Sequence, residues 1–305
     1  MKAIKLISII FAAGFISCGG NINDDDAGKD SGSTSSGRKE LYKVVAHRGG
    51  YKEAGLPDCS IASMKYTITL KCLAAEIDIV ATSDGYALVA HPDGDNKVNG
   101  LVPWEHTLEE IRAAGKLSNG EQIPVLEDCL ELIADKSKNP LGTHIWIDCK
   151  SVTDDGYKYF KQAIDNAYRA IKEKDAFELC EFMCPAGKDV FEAFRQTAMF
   201  KEGKCECAWM TATLPGNYYG CWAQLNYRKV IENASGSASD SPVWSGYTPE
   251  TYIDADIPLS LYNTTDSRDS DFYEKVIPYY PRLKAMFTNY PAELIRRLKS
   301  AGVEK

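Results

Sequence analysis

The sequence predicts an α/β fold, and specifically a parallel (β/α)₈ barrel. From residue 41 onward, short apolar runs typical of buried strands alternate with segments of helical periodicity. The alternation continues to the end of the 305-residue chain, a length that suits one such barrel. A hydrophobic content of 44% and a charged content of 26% are ordinary for a globular protein.

Each strand is predicted from a short apolar segment that is rich in β-branched or aromatic residues. In chain order these segments are LYKVVAH, AAEIDIVAT, YALVAH, THIWIDCK, FELCEFMC, CECAWMT, IPLSLYN and LKAMFTN. The second and third are separated by SDG, which predicts a tight turn. Residues 212–250 show neither a clear strand nor a clear helix, so no element is predicted there.

Helices are predicted between the strands from apolar residues that recur every three or four positions. The first, CSIASMKYTITL, has Ser60 or Asp58 near its cap, and LEDCLELIADKS follows Pro124. The others are TLEEIRAAG, the long DDGYKYFKQAIDNAYRAIKEK and the final AELIRRLKSAG.

The N-terminus resembles a bacterial lipoprotein signal, predicted over residues 1–17. Two lysines precede the apolar run LISIIFAAGFIS, which is too short to span a bilayer comfortably, and the run ends at Cys18. Residues 18–40 are predicted to be the lipidated cysteine and a flexible Gly, Ser and Asp linker, followed by the barrel domain over residues 41–305. We therefore expect an exported protein that is anchored by lipid to the cell envelope, in the outer membrane of a Gram-negative bacterium.

Charge and cysteine content narrow the classes of ligand. The formal charge of −8 gives no basic footprint for nucleic acid, although a metal ion can still make a local phosphate site. Nine of the ten cysteines follow Cys18, and none forms a C-x-x-C pair, which argues against zinc. They are predicted to be buried small apolar residues, with one or two disulfides left open.

Two strands carry pairs of ionisable residues at alternate positions. Glu76 and Asp78 are two apart, as are Asp148 and Lys150. A strand has a period of two, so each pair lies on one face, and in a parallel barrel that face is the interior near the C-terminal mouth. Three converging carboxylates would repel one another without a cation, and oxygen ligands favour Ca²⁺ or Mg²⁺.

Two further strands end on histidines. The first ends on His47 and Arg48, followed by Gly49 and Gly50, and a later one ends on His91. Two histidines can divide general acid and general base work, and an arginine fork suits a phosphate oxygen. The two glycines would let the backbone approach that phosphate. A metal, an arginine and two histidines are what a phosphodiester hydrolase needs.

These residues lie in five motifs that resemble the glycerophosphodiester phosphodiesterase family, whose members are (β/α)₈ barrels. AHRGG matches the opening H-R-G of that family, and EIDIVATSDGYALVAHPD resembles its E-x-D, T-x-D-G and histidine-aspartate run. IPVLEDCLEL, IWIDCK and FTNYP resemble its I-P-T-L-E-E, E-x-K and T-D-x-P segments. The resemblance covers about residues 43 to 291 and is strongest in the first half.

The resemblance implies a role for each matched residue. His47 and His91 match the catalytic histidines, and Arg48 and Lys150 match the phosphate-facing basic residues. The metal ligands are implied at Glu76, Asp78 and Asp148. The reaction implied is metal-dependent hydrolysis of a glycerophosphodiester, a small-molecule substrate, to an alcohol and glycerol 3-phosphate.

The chain departs from the family pattern at several positions, which leaves the substrate open. Asp58 and Cys59 stand where Glu and Asn are usual, and Pro92 is inserted between His91 and Asp93. Aspartate at 148 replaces a glutamate, and Asn289 replaces an aspartate. A phospholipase C- or D-like or sugar-phosphodiester hydrolase and a non-catalytic surface binding lipoprotein therefore remain as alternatives.

Overall fold

Eight parallel strands close into a ring in the computed structural model, which describes residues 40–150, 154–231, 247–264 and 270–303. The predicted signal peptide, Cys18 and the linker up to residue 39 lie outside these residues. The nine strands are β1 Tyr42–Ala46, β2 Cys72–Ala81, β3 Ala87–Val89, β4 His144–Cys149, β5 Cys180–Cys184, β6 Glu206–Trp209, β7 Trp222–Asn226, β8 Leu259–Asn263 and β9 Ala285–Thr288.

All strands except β3 belong to the ring, in the order β1, β2, β4, β5, β6, β7, β8, β9 and back to β1. The predicted barrel is therefore confirmed. β3 differs from its neighbours because it runs antiparallel to β2. β1 pairs with β2 only as far as Ala75, and β4 occupies the other edge of β2. β3 therefore fills the edge of β2 that β1 leaves free.

Helices surround the ring, and four of those described begin after a side chain that accepts a backbone N–H. Ser60 is the observed cap of the first long helix, accepting from Ser63 N at 3.0 Å, and Thr107 forms a capping box with Glu110. The helices are α1 Tyr51–Ala54, α2 Ile61–Thr69, α3 Leu108–Ala114, α4 Leu126–Ala134, α5 Lys158–Lys174, α6 Lys188–Arg195, α7 Ala198–Glu202, α8 Tyr227–Val230, α9 Pro249–Ile253, α10 Ser270–Val276 and α11 Pro291–Ser300.

Strand β7 lies in the region where the sequence predicted no element. It is Trp-Ala-Gln-Leu-Asn, and its first four residues are buried. A buried glutamine in the middle interrupts the apolar run that marks the other strands. β7 also supplies the eighth strand of the ring, because YALVAH forms the antiparallel β3 instead.

The interior of the barrel is a second core, separate from the larger core between strands and helices. Trp146 and Trp222 pack there with ring centroids 4.5 Å apart. Small residues such as Ala74 and Ala208 leave room for these two indoles. The full set is Val45, Ala74, Trp146, Met183, Ala208, Trp222, Ala285 and Phe287. The indoles fill the barrel below the strand ends, so a ligand can enter only from above.

All nine cysteines after Cys18 are buried and unpaired. Burial as small apolar residues is therefore confirmed, and the disulfides that the sequence left open are absent. Among the described residues, no helix is both long and apolar enough to cross a membrane.

Candidate active site

The turn after β1 is left-handed and holds His47 and Arg48 at the mouth of the barrel. Arg48 has φ 47° and Gly49 has φ 76°. A Cβ atom on Gly49 would lie 2.3 Å from Ser63 Oγ of α2. Gly49 is therefore required for packing against α2 and for its backbone conformation. This explains the glycine better than the approach to a phosphate that the sequence suggested.

Three predicted metal ligands converge inside the barrel at the level of this turn. Glu76, Asp78 and Asp148 each place a carboxylate oxygen within 4.8 Å of the other two. Glu76 and Asp78 are fully buried, and Asp148 is 9% exposed. Asp148 Oδ1 has no hydrogen-bond partner among the described residues. This set of hard oxygen donors fits a divalent cation.

Two cations hold the carboxylates together. Lys150 Nζ lies 2.7 Å from both Asp78 Oδ1 and Asp148 Oδ2. Arg48 Nε lies 3.0 Å from Asp78 Oδ2, and the backbone N–H of Arg48 donates to Glu76 Oε2 at 2.7 Å. The predicted phosphate-facing residues are therefore bound to the predicted metal ligands in this arrangement.

The carboxylates differ in how strongly the two basic residues lower their pKa. Burial raises the pKa of Glu76 well above its usual value, and the nearby Asp78 and Asp148 raise it further. Burial would also raise the pKa of Asp78, but Lys150 and Arg48 bring it below its usual value. The negative charge of Glu76 is thus the one most disfavoured by the neighbouring carboxylates, and an additional cation would reduce that repulsion.

His47 is held by an amide rather than by a carboxylate. Its Nδ1 lies 2.6 Å from Oδ1 of Asn289, whose Nδ2 donates to the carbonyl of Thr264 at 2.7 Å. The second contact fixes the amide, so Oδ1 accepts from an Nδ1–H of His47. The other ring nitrogen, Nε2, is left with a lone pair and lies 4.0 Å from Glu76 Oε2. Burial lowers the pKa of His47 to about 4.

His91 reaches the same end of the barrel through β3. The N–H of Ala90 donates to the carbonyl of Asp78 at 3.1 Å, which places the next residue beside that carboxylate. His91 is exposed, although partial burial lowers its pKa and the charge of Asp78 opposes this. Asp93 accepts from the N–H groups of Asp95 and Lys97, both at 2.9 Å, and so caps its own turn.

The two unusual residues at 58 and 59 also belong to the site. Asp58 Oδ2 pairs with Arg48 Nη1 at 3.1 Å. Cys59 is buried, and its Sγ lies 3.6 Å from Asp78 Oδ2. Its φ is 52°, a conformation that asparagine tolerates better than cysteine. Cysteine therefore supports Asp78 from a backbone position at which it is strained.

The two other histidines lie away from this cluster. His106 pairs with Glu110 at 3.6 Å, and His144 lies 3.3 Å from Glu181 at the opposite end of the barrel. Two aromatic residues before and in β7 have packing roles: Trp222 fills the barrel, and Tyr218 donates to the Thr211 carbonyl.

The fold and this cluster define a (β/α)₈ barrel with carboxylate, basic and histidine side chains gathered at its mouth. A curated glycerophosphodiester phosphodiesterase of Caldanaerobacter subterraneus subsp. tengcongensis is 37% identical over 101 residues. The match covers 30% of this chain and 41% of the relative, so the chain spans about two fifths of that protein. No family model matches the chain.

Solved structures of two phosphodiesterases have the same fold. A glycerophosphodiester phosphodiesterase from Parabacteroides distasonis superposes with a TM-score of 0.63 at 20% identity, covering 87% of this chain and 99% of the other. An Oleispira antarctica phosphodiesterase in complex with sn-glycerol-3-phosphate gives 0.59 at 16% identity, covering 85% and 97%. The curated relative supports the predicted resemblance over the matched residues, and the solved structures support the predicted fold.

Proposed function

We propose that this chain hydrolyses glycerophosphodiesters to an alcohol and glycerol 3-phosphate. The observation that carries the proposal is the convergence of two histidines, two basic residues and a buried carboxylate triad at one end of the barrel. The product bound to the Oleispira antarctica phosphodiesterase supports the same substrate class.

We propose that Glu76, Asp78 and Asp148 hold one divalent cation, either Ca²⁺ or Mg²⁺. The cation would supply positive charge against the developing charge on the phosphate oxygens. Arg48 and Lys150 would add hydrogen-bond donors to the same oxygens. Their present partners are the carboxylates, so a phosphate competes with Asp58 and Asp78 for Arg48.

The two histidines divide the proton transfers. His47 is the better base, because its Nδ1–H is engaged by Asn289 and its Nε2 lone pair faces the cluster. Nε2 takes a proton from the attacking water, and the oxygen of that water forms the new P–O bond. The P–O bond to the alcohol breaks, and His91 donates a proton to that leaving oxygen. With one water consumed, the products are the alcohol and glycerol 3-phosphate.

The test is an assay of the purified protein with glycerophosphocholine, glycerophosphoethanolamine and glycerophosphoinositol. We expect release of glycerol 3-phosphate that a chelator abolishes and that Ca²⁺ or Mg²⁺ restores. His47→Ala and His91→Ala should each reduce kcat by about 100-fold or more, since a positioned acid or base contributes at least this factor. His106→Ala, which removes a histidine away from the cluster, is the matched control.

Two outcomes would favour the alternatives. Cleavage of intact phospholipid or of a sugar phosphodiester, with none of glycerophosphodiesters, would indicate the other hydrolase classes. Metal-loaded protein that binds these diesters without cleaving them would indicate a binding protein. Pro92 and Asp148 motivate that second alternative, because they alter the surroundings of one histidine and one ligand.

We also propose that the chain is exported and anchored through a lipid on Cys18. Support comes from the apolar run that ends at this cysteine. Labelling with a radioactive fatty acid should mark the wild-type protein and leave Cys18→Ser unmarked. Equal labelling of both proteins, or labelling of neither, would contradict the anchor.

A further inference from the structure

Two buried polar atoms on neighbouring strands have no hydrogen-bond partner among the described residues. They are Oε1 of Gln224 on β7 and Oγ of Ser260 on β8. Gln224 is 1% exposed and Ser260 is fully buried. Unpaired buried polar groups destabilise a fold, so their presence calls for a partner that completes their hydrogen bonds.

Both side chains point into the barrel. Ala223 and Leu225 belong to the outer core between strands and helices, whereas Trp222 belongs to the interior core. Since side chains alternate along a strand, Gln224 lies on the interior face. The same alternation applies to Ser260, between the outward Leu259 and Leu261.

Register places Gln224 at the level of the carboxylate cluster. Its strand is four positions from β2 around the ring of eight, on the opposite side of the barrel. In a barrel of this shear the register falls by about one residue per strand, so alternate strands contribute four side chains to a layer. Counting along the paired strands puts Glu76, Met183, Gln224 and Phe287 in one layer.

Ser260 pairs in register with Gln224 and lies one level lower. By the same count, Trp146 lies in the layer of Ser260 and Trp222 lies in the layer below. Gln224 therefore lies above both indoles and below the open mouth, across the axis from Glu76, and Ser260 lies at the level of the upper indole. A group that reaches them must come from a ligand held at the carboxylate cluster, or be a water.

We propose that Gln224 and Ser260 bind a hydroxyl of the glycerol part of the substrate and so determine specificity for it. This rests on the proposed function. A hydroxyl can donate to Oε1 of Gln224 while it accepts from Oγ–H of Ser260, which satisfies both atoms. Both side chains are uncharged, so the pair suits a neutral polyol and not a phosphate or an ammonium group.

The test compares two diesters that share one leaving group, 4-nitrophenyl glyceryl phosphate and 4-nitrophenyl propyl phosphate. Gln224→Met keeps the length of the side chain and removes its hydrogen bonds. We expect its kcat/KM for the glyceryl diester to fall about 10-fold or more, with the value for the propyl diester changing less than about 2-fold. Ser260→Ala should act in the same direction, and Gln122→Met, at an exposed position, should change neither.

A binding measurement separates this proposal from the proposed function. Calorimetry with glycerol 3-phosphate and propyl phosphate needs no turnover, and Gln224→Met should lose the preference for glycerol 3-phosphate. Equal losses for both diesters, or unchanged preferences in both variants, would overturn the role of Gln224 and show that a water completes these atoms. A wild-type protein that cleaves neither diester yet prefers glycerol 3-phosphate would overturn the reaction alone.

Discussion

Asn289 holds the ring of His47 through a 2.6 Å contact to Nδ1, and the Thr264 carbonyl in turn holds the amide of Asn289. The residues of the first pair are 242 positions apart and come from the first and last strand ends of the ring. This contact selects the ring nitrogen that faces the carboxylates. Asn289 is therefore a positioning residue for the proposed base.

Replacing Asn289 should affect turnover more than binding. Asn289→Leu removes the acceptor and should lower kcat by about 10- to 100-fold, below the full contribution of a general base, with KM nearly unchanged. Asn289→Asp retains an acceptor and should keep kcat within a few-fold of wild type. Nitrogen NMR should detect a protonated Nδ1 on His47 in wild type and a mixture of tautomers in Asn289→Leu. A drop in KM and kcat together in both variants would contradict a positioning role.

Lys150 should compete with a metal for the carboxylates. Lys150→Met leaves Asp78 and Asp148 without their shared cation, so the chelated variant should unfold roughly 5 °C below wild type, for a loss of about 2 kcal/mol. Adding Ca²⁺ or Mg²⁺ should then raise its midpoint more than it raises that of wild type. Lys116→Met, at an exposed lysine, is the control. A midpoint that responds to metal no more than wild type would contradict the competition.

The left-handed backbone at Cys59 should restrict which side chains are tolerated at position 59. Cys59→Asn suits a φ of 52° and should change the free energy of unfolding by less than about 1 kcal/mol. Cys59→Val combines a β-branched side chain with this backbone and should destabilise by about 2–3 kcal/mol. Cys129→Val, at a buried helical cysteine, is the matched control. Denaturant unfolding of the three variants measures the difference, and equal effects of valine at both positions would contradict backbone strain.

Glu181, His144 and Lys284 form an ion cluster at the end of the barrel opposite the active-site mouth. This cluster should make the free energy of unfolding depend on pH. Glu181 Oε2 lies 2.9 Å from Lys284 Nζ, and Glu181 Oε1 lies 3.3 Å from His144 Nδ1. Burial would raise the pKa of Glu181, but these partners lower it to about 2. A depressed carboxyl pKa adds stability above the unfolded pKa near 4.5, and that contribution is lost as pH falls towards 2.

Glu181→Gln should therefore destabilise the protein by about 3 kcal/mol at neutral pH, the low end for a broken buried pair, because Lys284 keeps Glu206. The difference from wild type should be constant above about pH 5 and shrink below pH 4.5. Urea unfolding at several pH values measures it. A difference that does not change with pH would indicate lost packing rather than lost charge.

The sequence predicted the fold and the composition of the candidate site where the signal was local. The alternation of apolar and ionisable residues in β2 and β4 placed Glu76, Asp78 and Asp148 on one interior face, and the described cluster contains all three. Strand β7 was not predicted because Gln224 interrupts its apolar run. The antiparallel direction of β3 was not predicted either, because an apolar tripeptide has the same pattern in both directions.

Contacts between residues that are distant in the sequence leave no local pattern from which they could be predicted. Nothing near His47 indicates that Asn289 holds it, although the FTNYP motif did mark Asn289 as unusual. The pairing of Lys150 with Asp78 depends on the register between β2 and β4, which are separated in the chain by β3, α3 and α4. Likewise, the close approach of Gly49 to Ser63 needs the position of α2, which no spacing in the AHRGG motif gives.

The tilted indoles of Trp146 and Trp222, with the other side chains of the interior core, close the barrel below the site, so its mouth is the single opening among the described residues. A substrate would enter and its two products would leave by this one route. The products of a cleavage would therefore leave one after the other, because they could not pass each other. The fragment seated deeper, nearest Gln224, leaves last. The release of that fragment, rather than bond breaking, would then limit the rate at saturating substrate. The same fragment, added in excess, would inhibit the enzyme by blocking the binding of the next substrate.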